Sequence, residues 1–103
     1  MGSGIPNVVT LAMEGRNVNF LHSVVHTGPG DAILVKLAGT EANVMVMDDI
    51  NFRAYSSGSS FSFLGGHYQQ SPAVIKPSSG RWNVVVDLGG YKGKVGASVS
   101  VIQ

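Results

Sequence analysis

Three histidines and a pair of adjacent carboxylates are the side chains best suited to chemistry: His22, His26, His67, Asp48 and Asp49. Three neutral imidazoles can hold a zinc ion and leave one position open for an activated water. A small metal-assisted hydrolase built on His22, His26, His67 and Asp48 or Asp49 is therefore one reading. The spacing opposes it. On a regular strand His22 and His26 face the same side but stand about 13 Å apart, too far for one ion without a bend. The run Asp48-Asp49-Ile50-Asn51 offers several oxygens, yet a calcium loop is longer, contains a glycine and ends in a bidentate acid. Asp and Asn in such a place cap turns by bonding their own backbone. Neither a metal nor a cofactor is expected.

Other catalytic arrangements fail on spacing. Gly89-Gly90-Tyr91-Lys92-Gly93-Lys94 has no glycine five residues before Gly93, and Val95 stands where a phosphate loop needs Ser or Thr. No Gly-x-Ser-x-Gly elbow occurs, and Ser57-Gly58-Ser59 would hold a nucleophile poorly in a loop. No catalytic residue is assigned. Asp87 lies in an apolar strand and requires a partner if buried: Arg53, Arg81 or a loop N–H. It reads as a structural anchor fastening a hairpin, and Trp82, in parity with core valines, as the plug of the core. The remaining candidates are aromatic. Tyr55, Tyr68 and Tyr91 fall in or beside expected loops, with Arg53 and His67 near them in sequence. Loops converging on a rigid scaffold would join these five into one mixed polar and aromatic binding patch.

The elements that must position these residues are strands. In Arg81–Leu88, Trp82, Val84, Val86 and Leu88 recur at every second position, with Asn83, Val85 and Asp87 on the other face. Asn19–Val25 reads as a strand closed by Thr27-Gly28-Pro29-Gly30, a strong turn signal. Asp31–Ala38 alternates, and Ala42–Met47 is apolar on both faces, as a strand inside a sheet must be. Asp48–Ser60, ending in a serine-glycine run, reads as a loop. Phe61–Leu64 resumes a short strand that Gly65-Gly66 ends, and Pro72–Lys76 forms another. Val95–Val101 alternates cleanly; Gly89–Gly93 reads as a hairpin pairing it with Arg81–Leu88. Ile5–Gly15 supplies an added edge strand. No amphipathic helix is expected. Short strands separated by regular turn signals predict an all-β, antiparallel β-sandwich, with a small closed β-barrel as the alternative.

Length and charge narrow the function classes. The 103 residues make one domain, read as an N-terminal extension over 1–15 and a sandwich over 16–103. Met1-Gly2-Ser3-Gly4 reads as an expression-tag remnant. Charged residues are 13%, about half the roughly 25% usual in soluble domains, so self-association into a homo-oligomer is an expectation. Net charge is +1 and the cations are scattered, which opposes nucleic-acid binding. Absence of cysteine removes disulfides, thiolate catalysis and cysteine-ligated zinc. No apolar run reaches the ~20 residues that span a bilayer, and no secretory signal is evident. A cytoplasmic protein without membrane contact is expected.

Three motifs occurring in order, ANVMVMDDINF, GGHYQQSPAVI and SSGRWNVVVDLGGYKG, resemble the DUF1883 family, a small bacterial domain of unknown function. The similarity runs from about Phe20 to the C-terminus. It implies a compact all-β sandwich-like domain, joined in some longer proteins to TIR-type signalling domains, and carries no activity or catalytic residue. The combined expectation is a non-enzymatic binding or interaction module for an unknown protein or small ligand. The hydrolase and a structural homo-oligomer are the alternatives.

Overall fold

The computed structural model describes residues 9–13, 20–39, 41–89 and 95–103; for 9–13 it describes the strand alone. Eight strands and one helix follow in order: β1 (Val9–Met13), β2 (Phe20–Thr27), β3 (Ala32–Gly39), β4 (Ala42–Met47), α1 (Asp49–Ser57), β5 (Leu64–Tyr68), β6 (Ala73–Ile75), β7 (Gly80–Asp87) and β8 (Val95–Ile102). They form two four-stranded antiparallel sheets, in the orders β1-β8-β3-β6 and β2-β7-β4-β5. We term these sheets A and B. Successive strands alternate between the sheets, except for β4 and β5, which share sheet B and are joined through α1. β1 packs beside β2 at one side and β5 beside β6 at the other. Consecutive strands thus face one another across the core, the arrangement of a double Greek-key jelly roll. The two sheets stay separate, so the sandwich holds and the closed barrel does not.

The core lies between the sheets and is built from period-two burial. β2 turns in Leu21, Ser23, Val25 and Thr27, and β8 turns in Val95, Ala97 and Val99. Ile33 and Val35 meet Val44, Val46, Val84 and Val86 from the opposite sheet. Burying each such side chain contributes about 1.5–3 kcal/mol. β4 is indeed interior, between β7 and β5, which is why both of its faces are apolar. Its second face, Met45 and Met47 with Val85 of β7, lies under Phe20, Phe52, Tyr55 and Phe61. The turn after β2 bonds Asp31 N–H to Gly28 C=O at 3.1 Å, with Pro29 second and Gly30 third at φ 81°, a type II turn. β1 occupies a sheet edge and pairs with β8 from Val9↔Val99 to Met13↔Val95, as the edge-strand expectation required.

Three expectations need correction. Asp48–Ser60 is not a loop: Asp49–Ser57 is helical. Asp48 caps it by accepting from Asn51 N–H at 2.8 Å. At the other end Gly58 takes φ 82°, with Gly58 N–H bonded to Tyr55 C=O and Ser59 N–H to Ala54 C=O. That is a Schellman cap; Ser56 and Ser57, read as loop, form the last turn, and Ser59 and Ser60 lie beyond it. Secondly, β7 and β8 do not pair. They lie in opposite sheets, so the connection is a crossover whose residues 90–94 lie outside those described. An apolar face on each strand fits pairing and facing equally well. Thirdly, Gly65-Gly66 does not end a strand; it lies within β5, which starts at Leu64 and carries His67 and Tyr68. A side chain at Gly65, where φ is 118°, would collide with the carbonyl of Val44.

Candidate functional site

Along sheet B, Thr27, Met47, Leu64 and Gly80 mark one end, here the upper, and Ala42, Tyr68 and Asp87 the lower. Helix α1 lies on the outer face of this sheet and is fixed by polar contacts at both ends. At the upper end Asn83, only 1% exposed, is the hub. Its Nδ2 donates to Asp49 Oδ1 at 2.8 Å and to the Met47 carbonyl at 3.3 Å. That orientation turns Oδ1 toward His22 Nε2 at 2.8 Å, so His22 donates. Arg81 Nε donates to both Asp49 oxygens. The Asn83 hydrogen bond first, and the Arg81 bond second, hold the Asp49 carboxyl below the usual carboxylate range. The His22 ring stacks on Phe52 with centroids 4.0 Å apart.

At the lower end a second chain of bonds runs from the helix to the sheet edge. Tyr55 O–H donates to Asp87 Oδ2 at 2.6 Å, and Asn43 Nδ2 donates to Asp87 Oδ1 at 2.8 Å. Gly89 N–H donates to the same Oδ1 at 3.0 Å. Asn43 Oδ1 therefore faces His67 Nδ1, at 3.0 Å, while His67 Nε2 lies 2.6 Å from Glu41 Oε1. Both neighbours of the imidazole are acceptors, so the two bonds form together only when both ring nitrogens carry protons. Burial, and then the hydrogen bond to Asp87, push the Tyr55 phenol well above its ordinary value.

Beside His67 the chain turns from β5 to β6 through a cis Ser71–Pro72 bond, and Ser71 Oγ accepts from Leu37 N–H at 2.9 Å. His67, Tyr68, Gln69, Gln70 and Pro72 line an open hollow of about 430 Å³ here. Tyr68 also packs against the main core, which seats it on the scaffold. At the upper end of β5 lies a smaller cleft of about 180 Å³, lined by Phe63, Leu64 and Trp82 together with Asp48, Asn51 and Ser62. Trp82 is half-buried at the rim of the core, with Nε1 donating to the Ser78 carbonyl at 2.8 Å.

Of the five binding candidates, His67 and Tyr68 share the hollow. Tyr55 connects to them only through Asp87 and Asn43. Arg53 is exposed on α1, and Tyr91 lies outside the described residues. Asp87 is bonded by Tyr55, Asn43 and Gly89 rather than by Arg53 or Arg81. The hydrolase set does not assemble: among the described residues no three His, Asp or Glu side chains could hold one metal ion. His22 and His67 are drawn into separate networks on the two edge strands of sheet B, β2 and β5, and His26 is exposed. Sequence reading missed Asn43, Asn83, Gln69 and Gln70. The two asparagines carried a signal, each being a lone amide in an otherwise apolar strand, and the strand of Asn43 was already placed inside a sheet.

Among the described residues, fold and site define an antiparallel double Greek-key β-sandwich with one helix, and with a polar recess and a mixed polar and apolar one at the two ends of one edge strand. The sequence matches the family described as a domain of unknown function, DUF1883, over residues 18–103, and the chain belongs to that family. No curated protein and no solved structure matches it. Among the described residues no helix is long and apolar enough to cross a membrane.

Proposed function

We propose that this chain is a non-enzymatic binding module that takes its ligand at the lower end of β5. The hollow lined by His67, Tyr68, Gln69, Gln70 and Pro72 carries the reading. Its volume falls in the roughly 300–1,000 Å³ range of ligand sites. Its walls offer amides and a phenol, and His67 is paired with Glu41, so a neutral, hydrogen-bonding group suits it better than an ion. A general base needs a free ring nitrogen; Asn43 and Glu41 occupy both nitrogens of His67. Binding therefore fits the site better than proton transfer.

A thermal-shift screen tests this with saccharides, short uncharged peptides, nucleotides and divalent cations. A saturating ligand at a hundred times its Kd adds about 2.7 kcal/mol, worth several degrees in a domain of this size. The expected result is a shift with a neutral ligand that Gln69→Ala with Gln70→Ala abolishes. A shift with divalent cations alone would favour the hydrolase and overturn the proposal; no shift across the panel would exclude the small ligands tested and leave a protein partner as the occupant.

A further inference from the structure

We infer that the ligand is an extended peptide of a partner protein, added as a fifth strand to sheet B along β5. The inference rests on the binding-module reading and specifies its occupant. β5 is one of the two outermost strands of its sheet, the other being β2 beside β1, so one row of its backbone N–H and C=O groups has no strand partner among the described residues. Such an edge is a template for another strand. Leu64-Gly65-Gly66-His67-Tyr68 has no Lys, no Asp or Glu and no proline, the side chains that commonly guard an edge. The edge of sheet A on the same side differs: β6 has three residues, between Pro72 and Pro77.

The two recesses lie at the two ends of this strand. The upper cleft touches β5 at Leu64 and the lower hollow at His67 and Tyr68. Leu64 and Tyr68 are about 13 Å apart at strand rise and point to the same face. At about 180 Å³ the cleft is below the roughly 300 Å³ at which whole-ligand pockets begin, but it admits one apolar side chain beside Phe63, Leu64 and Trp82. Exposure of Phe63 at 44% and Leu64 at 43% leaves that apolar surface available to the partner. Between the recesses Gly66 presents no side chain, and a Cβ built there meets nothing within 4 Å. The fitting peptide has an apolar residue at one position and a neutral hydrogen-bonding residue four positions away, which returns to the same face of a strand.

A second copy of this chain fits less well. Two-fold antiparallel pairing centred on Gly66 would set the apolar cleft of one copy against the polar hollow of the other. Five residues of strand also fall far short of the roughly 1,200 Å² at which stable protein interfaces begin.

The test pans a random heptapeptide phage library on the full chain and measures the enriched peptides by fluorescence anisotropy. The expected peptides share the apolar and polar spacing. Gly66→Lys, which places a natural edge-blocking residue in open space, should weaken them at least ten-fold with an unchanged thermal midpoint. Leu64→Lys, at an exposed position, serves if Gly66→Lys fails to fold. Amide exchange should slow along Leu64–Tyr68 when peptide is bound. Equal peptide affinity in both lysine variants would overturn strand addition. So would a saccharide that fills the hollow without slowing those amides, an outcome that leaves the binding-module reading standing. A concentration-dependent dimer abolished by Gly66→Lys would give the edge to a second copy instead. Binding of nothing in either screen would remove both readings together.

Discussion

Replacing Asn83 by alanine tests whether the upper polar network fastens the helix to the sheet. The amide is 1% exposed and makes three bonds, to His22, Asp49 and the Met47 carbonyl. Alanine strands the Met47 carbonyl, and a buried acceptor left unpaired costs about 1–3 kcal/mol. The small void and the lost His22 bond add about 1 kcal/mol more. Asp49 is exposed and returns to water, so it adds nothing to this sum. The total, about 2–4 kcal/mol, is a large part of a domain's usual 5–15 kcal/mol and should lower the thermal midpoint by about 10–20 °C. Urea unfolding gives the free energy directly, and its pH dependence supplies a second readout. The Asp49 carboxyl is held below its ordinary value, first by Asn83. The native state therefore gains stability above the ordinary value near 3.8 and loses it as pH falls below that. Asn83→Ala should flatten this acid limb. A loss under about 0.5 kcal/mol, the level of a surface change, together with an unchanged acid limb, would refute the network's role.

Two further predictions concern the lower network and β5. Tyr55→Phe removes the bond to Asp87 and should cost about 1–2 kcal/mol, a hydrogen bond to a charged acceptor reduced by partial exposure. Because the native state holds the phenolic proton above its ordinary value of 10.0, stability is intact below that pH and falls above it. Urea midpoints from pH 8 to 11 should decline more steeply in the wild type than in Tyr55→Phe; parallel curves would refute the assignment. Gly65→Ala should cost about 1–3 kcal/mol for its positive φ alone, with the clash at the Val44 carbonyl adding to it. Gly66→Ala, with open space around its Cβ, should stay within about 0.5 kcal/mol. Equal melting points for these two variants would contradict the description of β5.

The strands were legible because burial on one face imposes a period of two, which β2 and the first half of β8 carry, while β4 and β7 are short apolar runs buried on both faces. The interior place of β4 followed from its two apolar faces. Pairing between β7 and β8 was misread because periodicity records that a face is buried, not whether the burying strand lies beside it or across the core. The helix was missed for a different reason. Its apolar contribution is small, chiefly Phe52 and Tyr55, while Ile50 on the same helix is 76% exposed. Its definition comes from the Asp48 and Gly58 caps, which sequence reading took for turn residues. In the site, His67 and Tyr68 were legible as polar and aromatic residues beside a glycine pair. Their neighbours Asn43 and Glu41 reach them across a strand register that no linear spacing reveals.

The position of the helix also explains why β5 is sparsely packed. Phe52 and Tyr55 pack over Met45, Met47 and Val85, so α1 covers β4 and β7 and stops short of the edge. β5 then has little to bury. Leu64 and Gly65 are exposed, Gly66 and Tyr68 are half-buried, and His67 turns outward to Asn43 and Glu41. A strand with so few apolar contacts is held mainly by its ladder to β4, from Ala42↔Tyr68 to Val46↔Leu64, and by the two bonds of His67. A ligand strand that completes β5 on its free side would compensate for that weakness. Peptide binding should therefore slow amide exchange most in β5 and least in β7, whose neighbours are already in place on both sides. Uniform slowing across both sheets would instead indicate a global gain in stability and no particular role for this edge.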